Sequence, residues 1–452
     1  MTVALEASPW RPRSRDPAHA FDTRRPVGGR NARGVAVPVE DSRRWWREEG
    51  LASTMAQDRL AFVSVPFCSS RCLFCPFYAN ADTQGGGDDY LELLSRELSL
   101  DLPRIDQKPF DAVYFGAGTP SDLPEHALEQ LIRGVVDHLP LAVGCEVSLE
   151  GRPASLDARK LALAVEAGVT RVSLGIQSFD TALRRQLGRR LDDDDCVAAT
   201  ASLRNVPGVT LVADLLLGLP GQDVTAVLRD IDQADRLGLD GLTLYVMSVM
   251  PKTPLERRES RRPGWLPPLS SAFEQYMAAA ARLEALGWRQ VSNSHWARTP
   301  RETARYNLAF KRGAPTFALG SRAGGGRGPF SYRLTMDLKR YREQVLAGIK
   351  PIETLVRHPG FGPAAQALSG EMDVGRVRPA DWPIAAAERD RFAAAARPLL
   401  EAWEETGLVR VDSDGFELTP AGRFWEERLT GALLARLPAD ENAQAAYQGA
   451  RR

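Results

Sequence analysis

From Leu60 onward, short apolar runs alternate with longer stretches whose apolar side chains recur at helical spacing. The runs over 60–65, 112–115, 145–149, 170–174, 210–217 and 241–247 are rich in Val, Leu and Ile and predict strands. The stretches 89–102, 124–139, 156–167, 194–203, 224–237 and 271–286 predict helices between and after them. Apolar strands that alternate with helices make a parallel sheet covered by helices. Six such units are too few for a closed eight-fold barrel. The predicted fold is therefore α/β: a partial (β/α)6 barrel of parallel strands, with its active site at the C-terminal ends of those strands.

The pattern breaks twice, at the Pro- and Gly-containing stretch 260–268 and at the glycine-rich stretch 312–332. Beyond about residue 375 a different module begins. A helix is expected over 389–406, two strands within 408–418 around a turn at 412–415, and a last helix capped by Thr419. This order predicts a small C-terminal winged-helix-like domain over 375–452. Residues 1–57 are rich in Arg, Pro and Gly and read as a largely flexible arm, in which 35–48 docks through Trp45 and Trp46. The barrel then occupies 58–260, and 261–374 forms an extension covering the active site.

Lys plus Arg equal Asp plus Glu at 58 each, so the chain carries no electrostatic footprint for nucleic acid or an anionic membrane. No apolar run reaches the roughly 18–20 residues of a membrane span, and the N-terminus lacks the apolar core of a signal peptide. A cytoplasmic protein without membrane insertion is expected. Three of the 5 cysteines fall within one eight-residue stretch, which suits a metal site in a reducing compartment rather than a disulfide framework.

That stretch, "CSSRCLFC", places Cys68, Cys72 and Cys75 at C-x₃-C-x₂-C spacing just after a predicted strand. Three thiolates on one loop can hold three corners of a cubane [4Fe–4S] cluster and leave the fourth iron open. A structural zinc site requires a fourth ligand, and no nearby His or Cys supplies one.

With this loop the chain resembles the radical SAM superfamily, in particular the branch of the oxygen-independent coproporphyrinogen oxidases and their relatives. The resemblance implies cleavage of S-adenosylmethionine to a 5′-deoxyadenosyl radical. "FGAGTPS" resembles the glycine motif that cradles the cofactor's amino and carboxylate groups, with Gly116, Gly118 and Thr119. The resemblance places Phe74 near the adenine and Glu150, in "VSLEGRP", on the ribose. It places Gln177, in "RVSLGIQSFD", Arg189 in the next helix and Asp214, in "VADLLLGLPGQ", around a second S-adenosylmethionine. An Asp inside so apolar a strand is costly to bury without a partner, which itself favours a ligand-facing position. Two departures stand out. Phe62 occupies a position that is usually Tyr, and the glycine motif reads Gly116-Ala117-Gly118 rather than three glycines.

Within the branch, Pro76, Phe77 and Tyr78 follow Cys75 where the coproporphyrinogen oxidases carry a fourth cysteine. Tyr306, Phe310 and Lys311 replace the His and the aromatic pair of the haem chaperones, while Asn307 is kept. "RCLFCPFYAN", "SHWARTPRETARYNLAFKRG" and "DLKRYREQVLAGIKPI" are more similar to the haem-utilisation radical SAM methyltransferases of the anaerobilin synthase type. That group opens the porphyrin ring of haem without oxygen, by methyl transfer from a second S-adenosylmethionine, and releases iron. Haem or a related tetrapyrrole is then the substrate, and a flavodoxin- or ferredoxin-type protein the electron donor. A haem chaperone, a natural-product methyltransferase and a coproporphyrinogen III dehydrogenase are the alternatives. His295 in "SNSHWAR" is a candidate axial ligand to haem iron, set against an ordinary hydrogen-bonded histidine. Arg322 and Arg327 are candidates for the propionates. Cys145 and Cys196 read as packing residues.

Overall fold

The computed structural model describes residues 9–25, 34–49, 58–77, 80–81, 86–106, 108–358 and 362–437. Twelve strands organise its main sheet: β1 (Val35–Val37), β2 (Leu60–Val65), β3 (Phe110–Ala117), β4 (Leu141–Gly151), β5 (Arg171–Gln177), β6 (Thr210–Leu217), β7 (Gly241–Val246), β8 (His295–Ala297), β9 (Thr316–Leu319), β10 (Gly324–Arg327), β11 (Phe330–Leu334) and β12 (Ile352–Arg357). Their spatial order is β1-β12-β11-β10-β9-β2-β3-β4-β5-β6-β7-β8, closed at the far edge by the two-residue strand Arg289–Gln290. Strands β2 to β7 pair parallel in chain order, as the apolar runs predict. The helices fall where helical spacing places them, for example Glu125–Val136 and Val224–Arg236.

The expected interruption over 312–332 is instead part of the sheet. It contributes β9, a further parallel strand beside β2, and then β10 and β11, which turn antiparallel. Strand β9 is four residues long, and β10 is "GGGR", so neither displays the alternation by which strands are recognised. Gly325 is required there: a Cβ would lie 2.5 Å from the Tyr332 ring and 2.4 Å from the Thr316 carbonyl.

The barrel strands bury both faces, with different chemistry on each. Ala61, Val63, Val147, Leu149, Val172, Leu174, Leu211 and Ala213 point outward into the main apolar core beneath the helices. The alternate positions point inward, and the period of two places Tyr114, Glu150, Ser173, Asp214 and Thr243 inside the barrel. Helix Arg305–Lys311 plugs the N-terminal end: Tyr306 and Ala309 pack on Leu60 and Ala112, and two backbone N–H groups of its first turn donate to Glu146.

The C-terminal module has the expected parts. Helix Ala386–Glu405 leads into the hairpin Val409–Val411 and Phe416–Leu418, to which Arg376–Val377 adds a third strand. Thr419 accepts from the Gly422 N–H and caps the following helix.

The expectation of a largely flexible arm needs correction for its described parts. Helix Val39–Glu48 docks through Trp45 and Trp46, both buried, and β1 pairs with β12. Residues 9–25 also pack. Phe21 meets Trp425 edge to face at 5.4 Å, and the Trp403 and Trp425 indoles donate to the Trp10 and Pro17 carbonyls at 3.0 and 2.8 Å. A few large aromatic side chains bury enough apolar area to fix a segment whose average composition is polar.

Candidate active site

The chain leaves β2 at Val65 and enters the cysteine loop at the C-terminal edge of the barrel. Cys68 and Cys72 are buried and Cys75 is half-buried. Cys68 Sγ lies 3.3 Å from Thr119 Oγ1, and burial pushes its thiol up. Polar anchors hold the loop: Ser69 N–H donates to Asp122 at 2.7 Å, Arg152 donates to Ser70 Oγ at 2.8 Å, and Leu73 N–H donates to the Leu187 carbonyl at 3.3 Å. Among the described residues, no three His, Cys, Asp or Glu side chains converge on a point as ligands of one ion do. A cubane asks for something else, since it takes each thiolate on a different iron. Phe74 and Leu73 pack against an apolar cluster that includes Leu183, Leu187, Met247 and Leu255.

Strand β3 delivers the glycine turn against this loop. A Cβ on Gly118 would lie 2.3 and 2.4 Å from the Val65 and Phe67 carbonyls, and one on Gly116 would lie 2.9 Å from the Glu150 carboxylate. Ala117, between them, has φ +78, in the left-handed region. An L-residue there costs about 1–2 kcal/mol, only partly offset by the larger unfolded-state entropy of glycine. Two opposite results are expected. Ala117→Gly stabilises by up to about 1 kcal/mol, whereas Gly118→Ala drives a methyl group into backbone and costs about 1–3 kcal/mol. Urea unfolding of both variants checks them; equal midpoints would dismiss the strain.

Glu150, at the end of β4, accepts from Tyr114 Oη at 3.0 Å. Burial and the neighbouring Asp214 push its carboxyl up to about 7, against the opposing pull of the tyrosine bond. Asp214, on β6, is raised by burial; it accepts from Ser173 Oγ at 2.9 Å, and its buried Oδ1 has no partner. Gln177 ends β5 with φ +74, a strained backbone at a strand tip. Arg189 lies just beyond the helix Thr181–Gln186 rather than within it, and its buried Nε is also without a partner. A Cβ on Gly175 would meet Gln177 Nε2 at 3.2 Å and an Arg189 guanidinium nitrogen at 3.3 Å, so this glycine lets the two side chains meet. Burial lowers Arg189, and the nearby Cys72 opposes that shift. The structure thus brings Gln177 and Arg189 together, and Glu150 and Asp214 together, above the barrel strands.

Phe62 stacks on Tyr114 at 6.1 Å, and Tyr114 meets Tyr306 at 4.8 Å, so aromatic rings fill the barrel where a phenol at 62 is missing. Arg322 has φ +70, and burial, with Arg333 adding to it, lowers its guanidinium. Arg327 is tied instead to the Glu49 carbonyl at 2.9 Å, which commits it to holding the N-terminal helix.

His295 does not fit the role of an axial ligand. It is 3% exposed, and both ring nitrogens have partners: Nδ1 lies 3.0 Å from Thr243 Oγ1 and Nε2 3.0 Å from Glu302 Oε1. Glu302 is bound in turn by Arg171 at 3.0 Å. Burial raises the Glu302 carboxyl, but the Arg171 charge and the His295 bond outweigh it and hold it at about 2. Sequence reasoning missed Tyr114, Arg171, Thr243 and Glu302. The signal for the three strand residues was the recurrence of polar side chains at every second position of buried strands; Glu302 lies in a loop and gave none.

Two cavities frame the barrel. One of about 660 Å³ opens at its C-terminal edge, lined by Gly218, Met247, Met250, Leu266 and the arm residues Arg24 and Arg25. Another, of about 640 Å³, lies at the opposite end among Asp58, Ala314 and helix Pro363–Val374, far from the cysteine loop in the fold.

Three thiols after the first barrel strand, a glycine turn pressed against them and polar groups left open at the neighbouring strand ends define an iron–sulfur enzyme on a partial barrel. The chain belongs to the radical SAM superfamily, whose model matches residues 62–234. It is 35% identical over 426 residues to anaerobilin synthase of Escherichia coli O157:H7, covering 92% of this chain and 94% of that one. It is 33% identical to the heme chaperone HemW of Mycobacterium tuberculosis, over 85% of this chain and 97% of that one. Coproporphyrinogen III oxidase (HemN) of Escherichia coli superposes with a TM-score of 0.74 at 21% identity, over 86% of this chain and 93% of that one, a likeness of fold. Membership implies a [4Fe–4S] cluster and S-adenosylmethionine. The donor set fits: three thiols on one loop, a turn with no room for side chains at Gly116 and Gly118, and a buried guanidinium and carboxylate each with an atom that has no partner. Among the described residues, no helix is long and apolar enough to cross a membrane.

Proposed function

We propose that this chain is a radical SAM C-methyltransferase that opens the porphyrin ring of haem and releases its iron, using two molecules of S-adenosylmethionine. The observation that carries the reading is the 35% identity to anaerobilin synthase along nearly the whole of both chains. The bound cluster supplies the electron that cleaves the cofactor. Cys68, Cys72 and Cys75 hold it. Gly116, Gly118 and Thr119 leave room for the amino acid end of the first cofactor molecule, Glu150 accepts from its ribose, and Phe74 packs by its adenine. Gln177, Arg189 and Asp214 face the second molecule. The cavity at the C-terminal edge suits a flat apolar substrate: its walls are largely apolar, and Met247 and Leu266 also belong to the cluster of side chains that seats Phe74. Of the two candidate arginines, Arg322 is the one left for a propionate. A flavodoxin- or ferredoxin-type protein delivers the electron.

A second reading is favoured by the 33% identity to a heme chaperone over most of both chains. One experiment separates them. With dithionite, haem and S-adenosylmethionine, the methyltransferase consumes the haem Soret band and forms 5′-deoxyadenosine and S-adenosylhomocysteine. A chaperone binds haem and leaves it intact. Indifference to haem removes both. Asp214→Asn and Gln177→Ala are expected to lower S-adenosylhomocysteine formation at least tenfold, about 1.4 kcal/mol, while iron content stays at the wild-type level. Equal loss of both would assign these residues to folding.

A further inference from the structure

We infer that Tyr245 is a further contact of the site: its ring and hydroxyl stand free inside the barrel mouth and meet the planar, nitrogen-bearing ring system that lies there. The adenine of S-adenosylmethionine and a tetrapyrrole both have that chemistry.

The alternation of β7 fixes the direction of the side chain. Leu242, Leu244 and Val246 pack in or against the outer apolar core, so Gly241, Thr243 and Tyr245 face inward. Along this inner face exposure rises steeply, from 4% at Thr243 to 46% at Tyr245. Within two residues the strand passes from the closed interior to the open mouth at its C-terminal end, where barrels of this kind hold their ligands. The uncovered side of an inward ring looks into the space that the barrel encloses.

The neighbours define that space. Leu216 is registered with Tyr245 and belongs to the apolar cluster against which Phe74 packs, so one wall leads toward the cysteine loop. One step deeper, Asp214 is registered with Thr243 and keeps a buried Oδ1 without a partner. Among the described residues, the Tyr245 hydroxyl has no hydrogen-bond partner. Packing does not account for this residue. Tyr114 fills the interior against Tyr306, and its hydroxyl donates to Glu150. Tyr245 leaves both its ring and its hydroxyl unused by the fold. An apolar wall, one donor and one acceptor are the mixture by which pockets hold flat ligands with polar atoms at the rim. The contact rests on this geometry; its use on haem rests on the proposed function.

Hydroxyl-radical footprinting of the reconstituted protein, read by peptide mass spectrometry, measures the exposure of single rings. In the ligand-free protein Tyr245 should be oxidised at a rate comparable to that of Phe310, 47% exposed on the plugging helix, and much faster than buried Tyr341. S-adenosylmethionine alone, or haem alone, should slow the oxidation of Tyr245 roughly fivefold, as burial of most of a ring's surface implies, and leave Phe310 unchanged. Whichever ligand protects is the one that lies on the ring. By equilibrium dialysis, Tyr245→Ala should bind that ligand about tenfold more weakly, and Tyr245→Phe, which keeps the ring and loses the donor, about threefold. Iron content should stay at the wild-type level in both. Oxidation of Tyr245 unchanged by either ligand overturns the contact, and so does an unchanged affinity in Tyr245→Ala. Protection by S-adenosylmethionine in a wild type that leaves haem intact would remove the proposed function and leave the contact standing.

Discussion

Cys68→Ala, Cys72→Ala or Cys75→Ala is expected to abolish the brown absorbance of the reconstituted protein and reduce S-adenosylmethionine cleavage to background. Each substitution removes one of three protein ligands, and two thiolates do not retain a cubane. The loop is otherwise well anchored by Asp122, Arg152 and Leu187, so the variants should stay folded, and a circular dichroism melt close to wild type should accompany the loss. Burial pushes the Cys68 thiol up, so it exists as a thiol until metal displaces the proton, and reconstitution should proceed faster as pH rises. Cys145→Ala and Cys196→Ala are the controls. Both thiols are buried in the outer apolar core, and burial pushes that of Cys145 up to about 12, the mark of an inert packing residue. These variants should lose about 1 kcal/mol of stability and keep full iron content. Wild-type cleavage by any of the three loop variants would end the assignment.

Much of this was legible in the chain. The six parallel barrel strands are apolar because helices cover their outer faces, and that makes them visible as runs. The cysteine loop and glycine turn were visible because their chemistry needs particular residues at fixed spacing. What stayed hidden has a physical reason in each case. Strand β9 is too short to display a period, and β10 has almost no side chains to alternate. The docking of residues 9–25 depends on Trp10 and Phe21 meeting residues some 400 positions later, which no local pattern records. His295 sat in a suggestive segment, but its occupation by Thr243 and Glu302 follows from strand pairing alone. Ala117 read as a lost glycine; its positive φ shows that the turn kept its shape and carries the strain instead.

Arg171→Leu is expected to cost about 3–5 kcal/mol, the usual consequence of leaving one member of a buried ion pair without the other. Arg171 and Glu302 lie inside the barrel, with side chains 4% and 0% exposed, and Glu302 also holds His295 and the Ala304 N–H at 3.0 and 2.8 Å. The pair therefore ties β5 to the loop between β8 and the plugging helix. Charge removal should rescue part of the loss: Arg171→Leu with Glu302→Gln should be more stable than Arg171→Leu alone, since the amide oxygen still accepts from Ala304. The pH dependence has a definite sign. Glu302 falls from an ordinary 4.5 in the unfolded chain to about 2 in the fold. A depressed acid stabilises the fold above its unfolded value, and that contribution, about 3 kcal/mol, is lost as pH falls from about 4.5 toward 2. In Arg171→Leu the carboxyl loses its main opposing charge, and burial then raises it, so the variant should suffer less from acid than the wild type does. Glu150, raised to about 7, disfavours the fold increasingly from about 4.5 to 7, but it does so in both proteins and cancels in their difference. Urea unfolding at steps between pH 7 and pH 3.5 should thus show the gap between wild type and Arg171→Leu closing toward acid. A gap as wide at pH 3.5 as at pH 7 would mean that Glu302 is not the anion that holds the barrel floor.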